Sequence, residues 1–364
     1  MNRIVRVYLV PGAVMQSVMI GGAYGTGREM TQYFTQYGMT GGALGLAVAA
    51  VCIAVIFALS LDLARRFQVF DYRRFSRVLL GRAWFLYEVV AVVLLLLVIA
   101  VITAAAGSIL ADEAGVPAMV GGAVTLIAVA ALIFYGRAWV TRVLASWSLL
   151  LYLVFAVYLL ATFAVLDPTP GSAERVVGDG WFASGIQYGM YNISAIPLVL
   201  YAARAIETRR EAILAGGIGA LIAIVPALML HLSFAVDYPN VVSVELPVYH
   251  VLGLMNLPVL KFVYLLVIFG TFIETAAGSI QGVVERVEGT LLERSGRSLT
   301  RSQHALIAIG FMLAAMLLST FGLVALVARG YGAVAWGFLL FYALPLVTIG
   351  VYKLYLAPNR AEGN

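Results

Sequence analysis

The chain carries a single cysteine, Cys52, three histidines and very little charge, since 11% of its 364 residues are Asp, Glu, Lys or Arg. One cysteine excludes an internal disulfide and any cysteine-built metal site. His231, His250 and His304 are too scattered for a metal motif, and no serine–histidine–acid or paired-carboxylate spacing marks an enzyme. The shortage of charge also excludes an ordinary soluble domain, because 63% of the residues are hydrophobic and the mean hydropathy is +0.99. Short alternating segments, the mark of a membrane β-barrel, are absent as well.

What the sequence does hold is a succession of apolar runs long enough to cross a bilayer core as helices. Ten spans are expected, at roughly 4–38 (broken), 40–64, 84–110, 117–135, 143–166, 181–203 (broken), 212–236, 258–283, 303–328 and 331–356. The first run has no small-residue cleavage site and is read as part of the mature protein. The expected fold class is therefore all-α and integral to the membrane, one transmembrane domain over 1–364.

The net charge of +5 does not form a patch for nucleic acid. With the N-terminus in the cytoplasm, 19 of the 23 basic residues fall on inner segments, among them Arg3, Arg65, Arg73, Arg77, Arg204, Arg286 and Lys353. Arg175, Lys261 and Arg329 are left outside, and Arg28 lies within the membrane. By the positive-inside rule both termini are cytoplasmic, as in a multi-pass protein of a bacterial cytoplasmic membrane. Outer connections are acidic, with Asp112, Glu113, Asp167, Glu174, Asp179, Asp237 and Glu245. Connections 65–83 and 284–302 have room for short surface helices, the first with Phe67, Val69, Phe70 and Phe75 among its arginines.

Five spans per half make the halves, 1–166 and 181–356, insert in opposite orientations. That is a 5+5 inverted repeat. Each half opens with an interrupted helix. In the first, four glycines fall among residues 21–27 (Gly21, Gly22, Gly25, Gly27), disfavouring a continuous helix by roughly 4 kcal/mol relative to alanine. A helix of about 35 residues would also reach near 50 Å, too long for one crossing. An unwound stretch at mid-depth resolves both, with Gly22, Ala23, Tyr24, Gly25, Thr26 and Gly27 offering amides and carbonyls to a substrate or a cation. Close helix packing is the competing use of such glycines.

In the sixth span Gln187, Tyr188, Tyr191, Asn192 and Ser194 precede Pro197, which leaves the Ile193 carbonyl without its helical partner. These are the substrate contacts expected from the second break. A proline-kinked helix with locally satisfied polar groups is the alternative. Deep in the eighth span, Glu274 stands with Thr271, Thr275 and Gly278 on neighbouring positions. A carboxyl at such depth marks a functional site, holding a sodium ion with the threonines and break carbonyls or loading and releasing a proton. A structural pair with Arg28 is the competing reading, and Glu29 either pairs with Arg28 or faces a water-filled vestibule. Glu88 is expected to snorkel or to pair with a nearby arginine.

The stretch from Gly21 to Glu29, the interruption at 188–194, the Asp71-Tyr72-Arg73-Arg74-Phe75-Ser76-Arg77 loop and Glu274-Thr275 resemble the YkvI-like bacterial membrane proteins. More distantly the chain is similar to the amino acid–polyamine–organocation superfamily with the LeuT fold. The resemblance implies a central site between the broken first and sixth helices and the third and eighth, worked by alternating access. It also implies that Glu274 and Thr275 occupy the hydroxyl pair that holds sodium in coupled relatives, a carboxylate replacing one hydroxyl. Tighter sodium binding, proton coupling and an internal salt bridge all stay open on that basis. The expected function is secondary transport of a small polar organic solute, an amino acid, amine or related zwitterion, with a proton or sodium as coupling ion and no other cofactor. A ligand-sensing receptor or channel subunit of the same fold is the alternative. Its partners are a small-molecule substrate and the lipid bilayer.

Overall fold

Helix boundaries follow capping chemistry at the ends of the apolar runs. The computed structural model describes residues 2–21, 23–135, 137–169 and 177–356, and all regular elements among them are helical. A π-helical turn, Val5–Leu9, leads into α1 (Val10–Met19), followed after the break by α2 (Arg28–Tyr33) and α3 (Met39–Phe67). Then come α4 (Tyr72–Leu80), α5 (Trp84–Ala114), α6 (Ala118–Tyr135) and α7 (Arg137–Val165). The second half holds α8 (Trp181–Asn192), α9 (Ile196–Val199), α10 (Arg209–Ser233), α11 (Pro247–Met255), α12 (Pro258–Ser295) and α13 (Arg301–Ser319). A last helix of mixed α and π turns covers Leu323–Tyr355.

Six helices among the described residues are long and apolar enough to cross a membrane: α3, the Tyr72–Ala114 pair, α10, α12, α13 and the last helix. Val5–Met19 is a shorter apolar helix, and Ala118–Ile133 and Leu150–Val165 are apolar stretches of the longer α6 and α7. Two boundaries differ from expectation. α12 runs on to Ser295 through the expected 284–302 connection, and Gly296 ends it in the left-handed region at φ +64. The turn before the last helix is at Gly322, φ +82, not at Gly330, so Arg329 lies inside that helix. Capping boxes at Thr208/Glu211 and Thr300/Gln303 set the starts of α10 and α13, satisfying otherwise orphaned amides.

Packing divides the helices into two groups. One comprises α1, α3, α8 and α10, which approach through glycine. A Cβ on Gly216 would lie 2.5 Å from the Ala58 amide nitrogen, on Gly12 2.6 Å from the Gly219 Cα, and on Gly185 2.5 Å from the Gly45 oxygen. The second group is α5, α6, α12 and α13, where Gly107 admits the Ala118 carbonyl in the same manner. The last helix touches both α8 and α5. Apolar side chains such as Leu306, Leu313 and Leu317 on α13 and Val259 and Phe262 on α12 remain exposed, as suits a lipid-facing surface.

The start of the first helix and the end of the last share one face. Arg3 pairs with Glu207 and Glu211 at 3.0 and 2.7 Å, Arg66 donates to the Leu354 carbonyl, and Arg209 stacks on Tyr355. On this terminal face, Glu88 of α5 meets Arg286 of α12 at 2.6 Å while Arg286 also covers the Tyr72 ring. The surface helix expected in 65–83 is α4, capped by Asp71, with Phe75 and Leu79 turned into the protein and Arg74 exposed. The opposite, distal face carries the Glu113–Lys261 pair and the 237–246 connection.

Candidate functional site

The first break lies between Met19 and Arg28, inside the protein: Ala23 and Tyr24 are fully buried, Thr26 nearly so. Gly22 lies outside the described residues. Gly27 sits at φ +81, where a Cβ would come within 2.6 Å of Phe234 Cζ and 2.8 Å of Val248 Cγ2, so both backbone and space demand glycine there.

Most freed carbonyls of this break are already taken. The Gly21 and Tyr24 carbonyls accept from the Tyr24 and Gly27 amides. The Ala23 carbonyl accepts from the Thr26 hydroxyl, the Gly25 carbonyl from the Tyr264 hydroxyl, and the Thr26 carbonyl from the Val248 amide. Backbone polarity at membrane depth is thus satisfied by protein, which the bilayer requires. The expectation of a free ladder of carbonyls is corrected accordingly: Gly25 and Thr26 anchor the break to α12 and α11.

The second break is tightened, not unwound. After α8 the chain passes through a 3₁₀ turn, Ile193–Ala195, into α9 and then a second 3₁₀ stretch, Leu200–Ala205. The Ile193 carbonyl, expected to be orphaned by Pro197, accepts from the Ile196 amide because a 3₁₀ turn reaches one residue less. The Asn192 amide group donates to the Tyr188 carbonyl, also a local bond. Gln187 donates to the Gly332 carbonyl at 3.3 Å, and Ser194 is half-buried.

The expected pair of Arg28 with Glu29 or Glu274 is not formed. The Arg28 guanidinium turns to the distal side, donating to the Val242 and Val244 carbonyls at 3.2 and 3.1 Å and to Gln32 at 2.9 Å. Three oxygen acceptors hold it, and no carboxylate is among them. Glu29 faces the other way. It is 3% exposed, and the Tyr191 hydroxyl donates to its carboxyl, so α2 is tied to α8.

Tyrosine rings close around this bond. Tyr191 lies 5.0 Å from Tyr331, 5.3 Å from Tyr188 and 5.7 Å from Tyr33, centroid to centroid, and Tyr188 packs on Phe34 at 4.7 Å. The Tyr33 hydroxyl donates to the Val327 carbonyl, which brings in the last helix. Two hydroxyls in this region, on the fully buried Tyr24 and Tyr188, have no hydrogen-bond partner among the described residues. Tyr33 and Tyr331 were missed in the sequence. Three-residue spacing of Tyr188 and Tyr191 was the available signal for one face, but nothing local marks the rings from the first and last helices.

Glu274 is half-buried on α12 and forms no hydrogen bond or ion pair among the described residues. Thr275 touches the first break: a Cβ on Gly21 would lie 3.3 Å from its methyl. The Thr271 hydroxyl donates to the Val267 carbonyl within the helix. One turn past Glu274, Gly278 is exposed and a Cβ there would meet nothing within 4 Å, so that face of α12 is open. A cleft of about 510 Å³ opens elsewhere, at the distal face, lined by Ser108, Asp112, Glu245 and Tyr249. Among the described residues no three His, Cys, Asp or Glu side chains converge.

No family model matches the chain. It is similar to the Uncharacterized membrane protein YkvI of Bacillus subtilis (strain 168), 24% identical over 288 residues that span 78% of this chain and 81% of that one. Its fold is similar to that of the manganese transporter of Eremococcus coleocola, with a TM-score of 0.58 and 13% identity over 96% of this chain and 78% of the other. A Na⁺-coupled sialic acid symporter in a substrate-bound outward-open state gives a TM-score of 0.62 and 14% identity, over 94% and 79%. At such identities the likeness establishes the LeuT-type fold, in agreement with the resemblance found in the sequence.

Proposed function

We propose that the protein is a secondary active transporter that moves a small polar organic solute, an amino acid, amine or related zwitterion, by alternating access. It works as ten spans in a 5+5 inverted repeat, with the terminal face in the cytoplasm. The observation that carries this reading is the meeting of the two helix breaks at a buried polar centre. Tyr24 and Tyr188 leave hydroxyls unsatisfied there, and an unsatisfied buried donor costs about 1–3 kcal/mol. A solute with polar groups offsets that cost on binding.

The solute binds between Tyr24 and Gly27 on one side and Gln187, Tyr188, Asn192 and Ser194 on the other. Glu274 is the coupling residue, with Thr275 beside Gly21 and Thr271 one turn away. It holds either a sodium ion or a proton, the carboxylate being charge-compensated by whichever it carries.

Thermal stabilisation of the purified protein across amino acids, amines, nucleobases and organic acids, with and without sodium, tests the reading. A ligand at a hundred times its dissociation constant adds about 2.7 kcal/mol. Any hit is then taken to counterflow in proteoliposomes. Exchange supports transport, whereas binding without exchange favours a ligand-sensing receptor of the same fold.

A further inference from the structure

Glu29 is a carboxyl at membrane depth, fully enclosed, for which Glu274 leaves no role in the coupling scheme. Among the described residues no Lys, Arg or His forms a hydrogen bond or ion pair with its carboxyl. From α8 come Tyr188 and Tyr191, from the last helix Tyr331 and the exposed Arg329, and from the break Tyr24. The 240–242 turn packed against α2 brings no ionisable side chain. On α2 itself Arg28 is spent on carbonyls and Gln32, and Tyr33 donates to Val327. α10 brings His231, whose Nε2 donates to the Met39 carbonyl at 2.9 Å and whose Nδ1 lies 2.9 Å from the Thr35 hydroxyl. Both ring nitrogens are thus engaged by Met39 and Thr35, not by Glu29.

An ionised carboxylate without a cation is strongly disfavoured in such an enclosure, and one phenolic donor does not replace its lost water. A carboxylic acid fits the geometry. One oxygen carries the proton, and the other accepts from Tyr191. The fully buried Tyr188 hydroxyl, without a hydrogen-bond partner among the described residues, belongs to the same ring cluster.

We infer that Glu29 is a proton-binding site, separate from Glu274, whose protonation closes the distal side by letting α2 join the last helix through Tyr33 and Val327. A proton from distal water forms an O–H bond with the Glu29 carboxylate, removing its charge, and the closed tyrosine cluster then excludes water. On release the O–H bond breaks, the proton returns to water, and the carboxylate, keeping Tyr191 as its donor, draws water into the cluster and parts Tyr33 from the Val327 carbonyl. The inference rests on the alternating-access reading for the meaning of the closure, but the proton site itself does not need a transported solute.

The test therefore uses the ligand-free, full-length protein in detergent. Infrared pH-difference spectra are expected to show a carboxylic-acid carbonyl stretch that is absent in Glu29→Gln, shifted in Tyr191→Phe and retained in Glu274→Gln. Spin labels at Gln36→Cys and Val324→Cys, on a Cys52→Ser background, then report the distance from the distal end of α2 to the last helix. A longer component that grows as pH rises, and is missing at every pH in Glu29→Gln, supports the inference. A band untouched by Glu29→Gln, or a distance independent of pH in the parent, overturns it. Either overturning result leaves the transport reading standing, which solute uptake alone decides.

Discussion

The Tyr191 hydroxyl donates to the Glu29 carboxyl, joining the half-helix after the first break to the helix before the second. Both residues are at most 5% exposed. Replacing Tyr191 by Phe keeps the ring stack on Tyr331 but leaves a buried carboxyl without its donor. The expected loss of stability is about 1–3 kcal/mol. Thermal unfolding of the purified variant measures it, and solute uptake should fall with it, since the two breaks are no longer held together.

Glycines in this chain differ sharply in what they tolerate. Gly27→Ala places a Cβ against Phe234 and Val248 at a left-handed φ, so it combines backbone strain of roughly 1–2 kcal/mol with overpacking of about 1–3 kcal/mol. Gly278→Ala meets open space within a helix and should stabilise slightly, by up to about 1 kcal/mol. Comparing unfolding midpoints and uptake for these two variants checks whether the first break needs its glycines for shape.

The sequence made the helical class and the site of both interruptions legible, because glycine clusters and Pro197 act locally on the backbone. Where the freed groups go was not legible. Gly25 and Thr26 lose their carbonyls to Tyr264 and Val248, more than 200 residues on, and no local rule reveals such partners. Arg28 and Glu29 illustrate the same limit. Adjacent charges on a helix start point some 100° apart, so proximity in sequence put them in a pair that the helix geometry separates. The end of the ninth span was misplaced because Gly330 and Gly322 are equally good punctuation in sequence, whereas Gly322 alone of the two adopts positive φ.

A buried pair at the terminal face makes a separate prediction. Arg286 and Glu88 are 5% and 15% exposed and meet at 2.6 Å, tying α5 to α12. Arg286→Met leaves Glu88 buried and unpaired, with an expected cost of about 3–5 kcal/mol. The double variant Arg286→Met with Glu88→Gln should recover most of that loss. A double-mutant cycle in thermal unfolding reads the coupling directly.

The central claim is that the site couples solute movement to an ion through Glu274, and uptake into proteoliposomes under imposed gradients tests it most directly. Wild-type protein is expected to accumulate a solute identified by thermal stabilisation when a proton or sodium gradient is applied, and to stop when that gradient is collapsed. Glu274→Gln should abolish accumulation while still exchanging solute in counterflow, because the variant keeps the binding centre between the breaks and loses the charge that the ion balances. Gradient-driven accumulation by Glu274→Gln at the wild-type rate would contradict the account.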